Sequence, residues 1–565
     1  MTVMTMRRAI SSAALSLLAA WVAGCEPPPG LVAHSALLPL EGACPEEPTG
    51  GLEFTSEVER LRVEVTGPGI DEPIEAEGSV TTLTIEGIPE GAERQVVLSG
   101  LASDGTATWR GVKKGITVEE KKDTEVEILL SKVADLSCPR SPLGQRRAFH
   151  TATLLDDGRV LLVGGAVSDV DASNTCGQGC TLLTATGSAE VYDPTRGTFT
   201  PAGTLSVPRM FHTATRLPDG QVAVVGGVSE ALVVPVDDVN PFPIKPRLAP
   251  ASLIEVWSPE TGQFEPMQDD PSGPRMFHAA TLTKDGYLLI TGGIPSSAAV
   301  NDLSNAVRTS TLCQMGPLFC LAQLDAPMQR ARAGHSAILL DNGDVLLWGG
   351  SVEIGDELGV AGFKPEVYRG GRFQMLDTAG FSSNQLNLFF AATTRYMGYR
   401  VVSAGGLVRG EDGRFQLSST TKGGVTRGTV FVFDATPEGG QGAVSAGPYV
   451  GNQLDALVIS EPRFLGGAAP LPGEQRALLA GGFASLDLEP SAGLEIYAED
   501  PLSVQPVSVS GQPRILRSAR GGLVATGLDD GTVVLTGGEV NDGGVRRPVK
   551  SAEIFADPVA PGASR

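Results

Sequence analysis

Apolar residues in this chain fall in short blocks, and the blocks share one frame. Val160–Val163, Val222–Val225, Leu288–Thr291, Val345–Trp348 and Val533–Thr536 each run for four residues and end on a pair of glycines. A short run with almost no polar break reads as a strand buried on both faces. Asp157-Gly158, Asp219-Gly220, Asp285-Gly286, Asn342-Gly343 and Asp530-Gly531 stand just ahead of these runs. Such pairs accept positive φ at little cost and mark hairpin turns. The full set of paired glycines is Gly164/Gly165, Gly226/Gly227, Gly292/Gly293, Gly349/Gly350, Gly405/Gly406, Gly481/Gly482 and Gly537/Gly538. After six of the seven pairs comes a third strand ending in an aromatic residue, as in Glu190-Val191-Tyr192, Glu255-Val256-Trp257, Glu366-Val367-Tyr368, Glu495-Ile496-Tyr497 and Glu553-Ile554-Phe555. The stretch before the next repeat supplies a fourth.

Four-stranded sheets repeated seven times predict a β-propeller. The apolar run, the paired glycines and the spaced aromatic resemble the kelch pattern. With Arg-x-x-His ahead of the hairpin, the repeat is similar to kelch and galactose-oxidase-type propellers. The resemblance covers about 146–557 and implies an all-β, seven-bladed, kelch-like propeller. The third repeat departs from it in lacking a Glu-Val-aromatic strand, and the fifth and sixth lack Arg-x-x-His, so six and eight blades are alternative counts. Too little chain follows Phe555 for a final strand, and Val133–Ser137 is expected to close the ring instead, removing an exposed sheet edge.

Residues 44–138 read differently. Leu61–Val65 alternates like a half-buried strand, with further candidates at Thr82–Ile85, Arg94–Ser99, Thr106–Arg110 and Glu125–Leu130. This spacing predicts a small acidic β-sandwich that resembles the immunoglobulin-like or transthyretin-like modules of bacterial surface lipoproteins. At the N-terminus, Arg7 and Arg8 precede an apolar run from Ala9 to Val22, the shape of a secretory signal. Val22-Ala23-Gly24-Cys25 resembles a bacterial lipobox, which implies removal of residues 1–24 and acylation of Cys25. Residues 25–43, with Pro27-Pro28-Pro29, are expected to be a lipidated tether. The Glu26 that follows points to the outer membrane under that family's sorting rules.

The chain carries 65 acidic against 43 basic residues, a net charge of -22. That balance excludes a general nucleic-acid binder, which needs a basic face. An exported chain keeps disulfides. Apart from Cys25, six cysteines remain, and local spacing favours Cys44–Cys138, Cys176–Cys180 and Cys313–Cys320.

Two repeated polar positions are candidates for function. His150, His212, His278 and His335 share one repeat position. Galactose oxidase binds copper in a propeller, but equivalent positions in neighbouring blades lie well apart, whereas ligands of one metal each approach within ~2.1 Å of it. That site's tyrosines and modified cysteine have no counterpart here, so the histidines read as structural, and no metal or other cofactor is expected. Arg147, Arg209, Arg275, Arg332 and Arg520 lie seventeen positions ahead of their glycine pairs. By analogy with peptide-binding kelch domains they would ring one mouth and take an acidic peptide or uronic-acid glycan. Alternatively, each braces its own repeat. Uneven loops after the glycines mark the expected binding face. No Gly-x-Ser-x-Gly, His-Glu-x-x-His or Walker phosphate loop occurs. The sequence therefore predicts a monomeric, lipid-anchored envelope protein that binds a protein or polysaccharide without catalysis, with a copper oxidase or glycan-active propeller as the alternative.

Overall fold

The computed structural model describes residues 30–557 apart from 39–43, 45–57, 81, 120–121, 238–241, 249–250, 296–302, 315–318, 323–326, 353–363, 380–386, 399, 410–413, 423, 435–442, 447–456, 472–474, 501 and 510. The signal segment, Cys25 and the first part of the expected tether lie outside the described residues. No helix among the described residues is long and apolar enough to cross a membrane.

The N-terminal domain is one continuous seven-stranded sheet. Its order is Ile74–Gly78, Arg60–Thr66, Gly91–Leu101, Ala107–Val118, Thr124–Lys132, Gly30–Leu37 and Thr82–Glu86. The first and last of these lie side by side, so the sheet curls almost to closure. Its inner face holds one core, including Leu31, Val63, Leu83, Leu98, Trp109 and Ile128. Alternation along Arg60–Thr66 puts Leu61, Val63 and Val65 inside, as the sequence predicts. Two expectations need correction. Hydrogen bonding runs through a single sheet, where two stacked sheets were expected. Residues 30–37 are no tether: they form a strand parallel to Thr124–Lys132. Polar His34 and Ser35 interrupt the apolar pattern there, which hides the strand.

Each glycine-pair repeat builds its own sheet. The innermost strands are Thr151–Leu154, Thr213–Arg216, Ala279–Leu282, Ser336–Leu339, Ala392–Met397, Gly467–Leu471 and Val524–Gly527. Each adjoins the next, and the last adjoins the first. The result is the closed ring of a β-propeller. Faces of successive sheets pack on each other: Leu161, Val163 and Val191 of the first meet Val222, Val224 and Trp257 of the second. In the third repeat Ser310–Gln314 takes the third-strand place despite its different sequence. The last sheet is completed from the N-terminal side. Leu136 pairs with Phe555, Ser137 with Ile554, and Val133 bridges Ala556.

Segments after the first two glycine pairs are themselves folded. Ala166–Asp171, Thr181–Ala185, Glu230–Val233 and Ile244–Pro246 make a four-stranded sheet drawn from two repeats. With the hairpins Leu407–Arg409/Phe415–Leu417 and Glu539–Asp542/Val545–Pro548, it forms a cap on the ring. The three disulfides join Cys44 to Cys138, Cys176 to Cys180 and Cys313 to Cys320, the pairing that the spacing favours.

Candidate functional site

The repeat's polar residues gather where the chain leaves each apolar strand. At Gly164, φ is +61°, and an added Cβ would sit 2.4 Å from the Arg209 carbonyl oxygen. Only glycine tolerates both conditions. The next amide, Gly165 N–H, donates to that same carbonyl. The bond recurs from Gly227 to Arg275, Gly293 to Arg332, Gly350 to Leu388, Gly406 to Arg463, Gly482 to Arg520 and Gly538 to Arg147, at 2.8–3.0 Å throughout. The paired glycines thus stitch each repeat to the next, and the seventh to the first.

The arginines do not ring a mouth. Arg147, Arg209, Arg275, Arg332 and Arg520 are 0–1% exposed. Arg209 donates to the carbonyls of Gly226 and Leu253 and pairs with Glu255 at 2.6 Å. Arg147 does the same with Gly164, Ser188 and Glu190. Arg332 uses Gly349, Lys364 and Glu366, and Arg520 uses Gly537, Ser551 and Glu553. Burial depresses the pKa of Arg147 and Arg209, and their carboxylates oppose it. The carboxylate also accepts the amides of the segment leading to its arginine, as Glu190 does from Gly144 and Gln145. A guanidinium so committed offers nothing to an outside anion. The expectation of a ligand-binding ring is overturned, and the bracing alternative is what the structure contains.

The partner glutamates are the first residues of the Glu-Val-aromatic strands. Sequence reasoning used them only as strand markers. It also missed Arg463, which is buried and paired with Glu495. Two repeats vary the scheme. In the third, Thr311 occupies the glutamate's register position opposite Ile290, and the carboxylate comes from Asp270, 2.9 Å from Arg275 and 2.6 Å from Thr311 Oγ1. In the fifth, the arginine position is Leu388 and the glutamate position, opposite Ser403, is Phe431. Both lie in one apolar cluster. Where the cation is lost the anion is lost too, since either alone would be a buried unpaired charge.

The four histidines join neighbouring sheets. The Nε2 atoms of His150, His212, His278 and His335 hydrogen-bond the hydroxyls of Thr536, Thr151, Thr213 and Thr291 at 2.8–2.9 Å. Burial, aided by nearby arginines, lowers the pKa of His212 and His335 to about 3 and holds His150 and His278 well below their usual range. These rings are neutral, and each is spent on a different neighbour. They do not form a copper donor set. No group of three or more His, Cys, Asp or Glu side chains suited to a metal occurs among the described residues.

Two residues after each arginine position the backbone is left-handed. Phe149, Phe211, Phe277, Phe390 and Leu465 have φ of 52–56°, and Gly334 and Gly522 complete the set. Holding β-carbon residues there costs roughly 1–2 kcal/mol each, and packing offsets it. Phe149 and Phe211 have ring centroids 4.7 Å apart, Phe211 and Phe277 4.9 Å, and Phe277 and Phe390 4.8 Å. Phe242 of the cap stacks on Phe390 at 5.2 Å. Amides of these positions link repeat to repeat, for instance Phe211 to Phe149 and Phe149 to Gly522. The capped end of the ring is therefore filled by an aromatic plug.

One carboxyl group enters that plug. The residue following each glycine pair is Ala166, Val228, Ile294, Ser351, Leu407, Phe483 or Glu539, all buried. Neither carboxylate oxygen of Glu539 has a hydrogen-bond partner among the described residues. Burial first, and then Asp169, push its pKa up to about 8, against the pull of Arg546. Arg546 is 3.3 Å from Asp169 and donates to Thr181 Oγ1 at 3.0 Å, tying the last hairpin to the cap sheet.

No family model matches the sequence, and no curated protein matches it. Among solved structures the chain is similar to a novel fungal alcohol oxidase of the AA5 family in complex with copper, at 14% identity and a TM-score of 0.48, over 74% of this chain and 75% of that one.

Proposed function

We propose that this chain is a lipid-anchored envelope protein whose seven-bladed, kelch-like propeller binds a protein or polysaccharide through its cap, without chemistry of its own. The aromatic plug carries the reading. The repeated arginines and histidines are consumed inside the ring, and the end where a propeller commonly opens is filled and roofed. The cap is the surface built from the uneven loops, and it exposes apolar Val170, Leu248 and Val545. Exposed apolar groups on a folded, disulfide-braced surface suit recognition of a partner. The N-terminal domain would hold the ring off a membrane to which Cys25 is acylated.

The test is capture of envelope components by the full-length chain in detergent, beside a Val170→Asp/Val545→Asp variant. A partner retained by the parent and lost by the still-folded variant supports the reading. Equal retention sinks it. Lipid labelling that survives Cys25→Ala would rule out Cys25 as the acylated residue. The second reading is an enzyme of the galactose-oxidase type or a glycan-active propeller. It shares the kelch-like repeat, and the similar solved structure is of an oxidase. Stoichiometric copper in the purified protein would favour it over binding alone.

A further inference from the structure

We propose that the seam where the chain closes its ring is a binding site for a small organic anion. A cavity of about 340 Å³ opens there, lined by Lys132, Asp135, Leu136, Pro513, Arg514, Ile515 and Arg517. That volume lies in the range of small-molecule sites. Three cations and one carboxylate meet in a chain whose net charge is -22. The lining thus carries more basic than acidic side chains, and field focusing in a cleft draws anions toward such groups.

The local fold sets this up. Ala134, with φ of +57°, turns the chain between the N-terminal domain and the closing strand Leu136–Ser137, and its amide donates to the Ala556 carbonyl. The turn presents Lys132 and Asp135 to the cavity. Opposite them, the hairpin Ser508–Val509/Gln512–Pro513 leads into Arg514. Arg517 Nη2 donates to the Leu136 carbonyl at 2.6 Å, which fixes that guanidinium against the closing strand. Arg514 is looser, about a third exposed and 3.3 Å from Asp135. Its Nε is buried with no hydrogen-bond partner in the described residues. A ligand carboxylate or phosphate would take the place Asp135 fills weakly, since guanidinium forks favour bidentate oxyanions. The carbon part of the ligand would lie on Leu136, Pro513 and Ile515, the last 61% exposed. Such a ligand would touch the closing strand and the segment that leads into the last sheet at once, and hold the two together.

Calorimetry of the full-length chain in detergent at low salt, with citrate and separately with inorganic phosphate, tests this. Binding of either anion is expected. Citrate alone would show that the carbon part is needed, and phosphate as well would show that the oxyanion suffices. Arg514→Ala should weaken binding about tenfold, the effect of one charge-assisted hydrogen bond. Ile515→Asp, at an exposed position that leaves packing intact, should weaken it similarly and guards against loss of fold in the arginine variant. Asp135→Asn, which removes the competing carboxylate, should tighten it. Absence of binding for both anions, or the same affinity in the parent, Arg514→Ala and Ile515→Asp chains, would overturn the proposal.

Discussion

His150 Nε2 lies 2.8 Å from Thr536 Oγ1, a hydrogen bond between residues 386 apart that joins the first sheet to the last. Its three counterparts join first to second, second to third and third to fourth. All four rings are buried and neutral, while an unfolded chain binds protons at histidine near pH 6.5. Between about 6.5 and the folded values, about 3 for His212 and His335, the unfolded state holds more protons. Stability from this source is complete above pH ~6.5 and declines as pH falls below it. Urea midpoints should therefore drop from pH 7 to pH 4. His150→Gln should reduce the proton uptake on unfolding at pH 5 by about one. An unchanged uptake would show that His150 titrates alike in both states.

Arg209 and Glu255 form a fully buried pair. Arg209→Leu strands the carboxylate, and stranding one member of a buried pair costs about 3–5 kcal/mol. Arg209→Leu with Glu255→Phe copies Leu388 and Phe431 of the fifth repeat. The double variant should lose less than the two single changes together, because neither charge is left alone. Chemical denaturation of the four chains closes the cycle, and simple additivity would refute the coupling.

How much of this was legible can be judged residue by residue. The apolar runs and paired glycines announce the ring, because a buried strand followed by a crowded exit leaves few residue choices. The closing strand Leu136–Ser137 falls within Val133–Ser137, the segment expected just ahead of the first repeat to complete the last sheet. The fate of the arginines was not. Arg209 meets its carboxylate 46 positions later, across a strand, so nothing local marks it as buried. Arg463 escaped notice because its histidine is absent and its glycine pair comes one residue late. The cap sheet draws strands from two separate repeats, a pairing that no single segment encodes. Glu539 looks like any surface glutamate until its register position, otherwise mostly apolar, is known.

Gly522 tests the left-handed ring. Its φ is +64°, and a Cβ would lie 2.4 Å from Phe149 Cε1 across the same first-to-last seam. Gly522→Ala combines a backbone cost of roughly 1–2 kcal/mol with displacement of that ring. Thermal unfolding should shift down by several degrees. An unshifted midpoint would show that the plug adapts freely there.

The Cys44–Cys138 bridge spans 94 residues and ends one residue beyond the closing strand. Chain-entropy arguments give a loop of this length about 4–5 kcal/mol, against about 3 kcal/mol for a loop of fifteen residues. Cys138→Ser with Cys44→Ser should therefore cost more stability than Cys176→Ser with Cys180→Ser, whose loop is far shorter. It should also raise amide exchange first at Phe555 and Ile554, the partners of the closing strand. Equal losses from the two double variants would refute the loop-length argument.

Glu539 opposes the histidines in its pH dependence. Its folded pKa, pushed up to about 8 by burial and by Asp169, stands above the value near 4.5 of a solvated glutamate. The folded state thus holds the extra proton between those limits. The stability this group contributes is complete below pH ~4.5 and is lost as pH rises toward 8. Glu539→Gln keeps the shape and removes the titration, so the variant should be more stable than its parent at pH 8.5, with the gap closing at lower pH. The change should register first in the cap, because deprotonation sets Glu539 against Asp169 and leaves Arg546 to serve both. Amide exchange in Ala166–Asp171 should accelerate above pH 8 in the parent, beyond the intrinsic rise, and not in the variant. The same pH profile in both chains would mean that Glu539 is already ionised in the folded protein, and that the cap is held by other contacts.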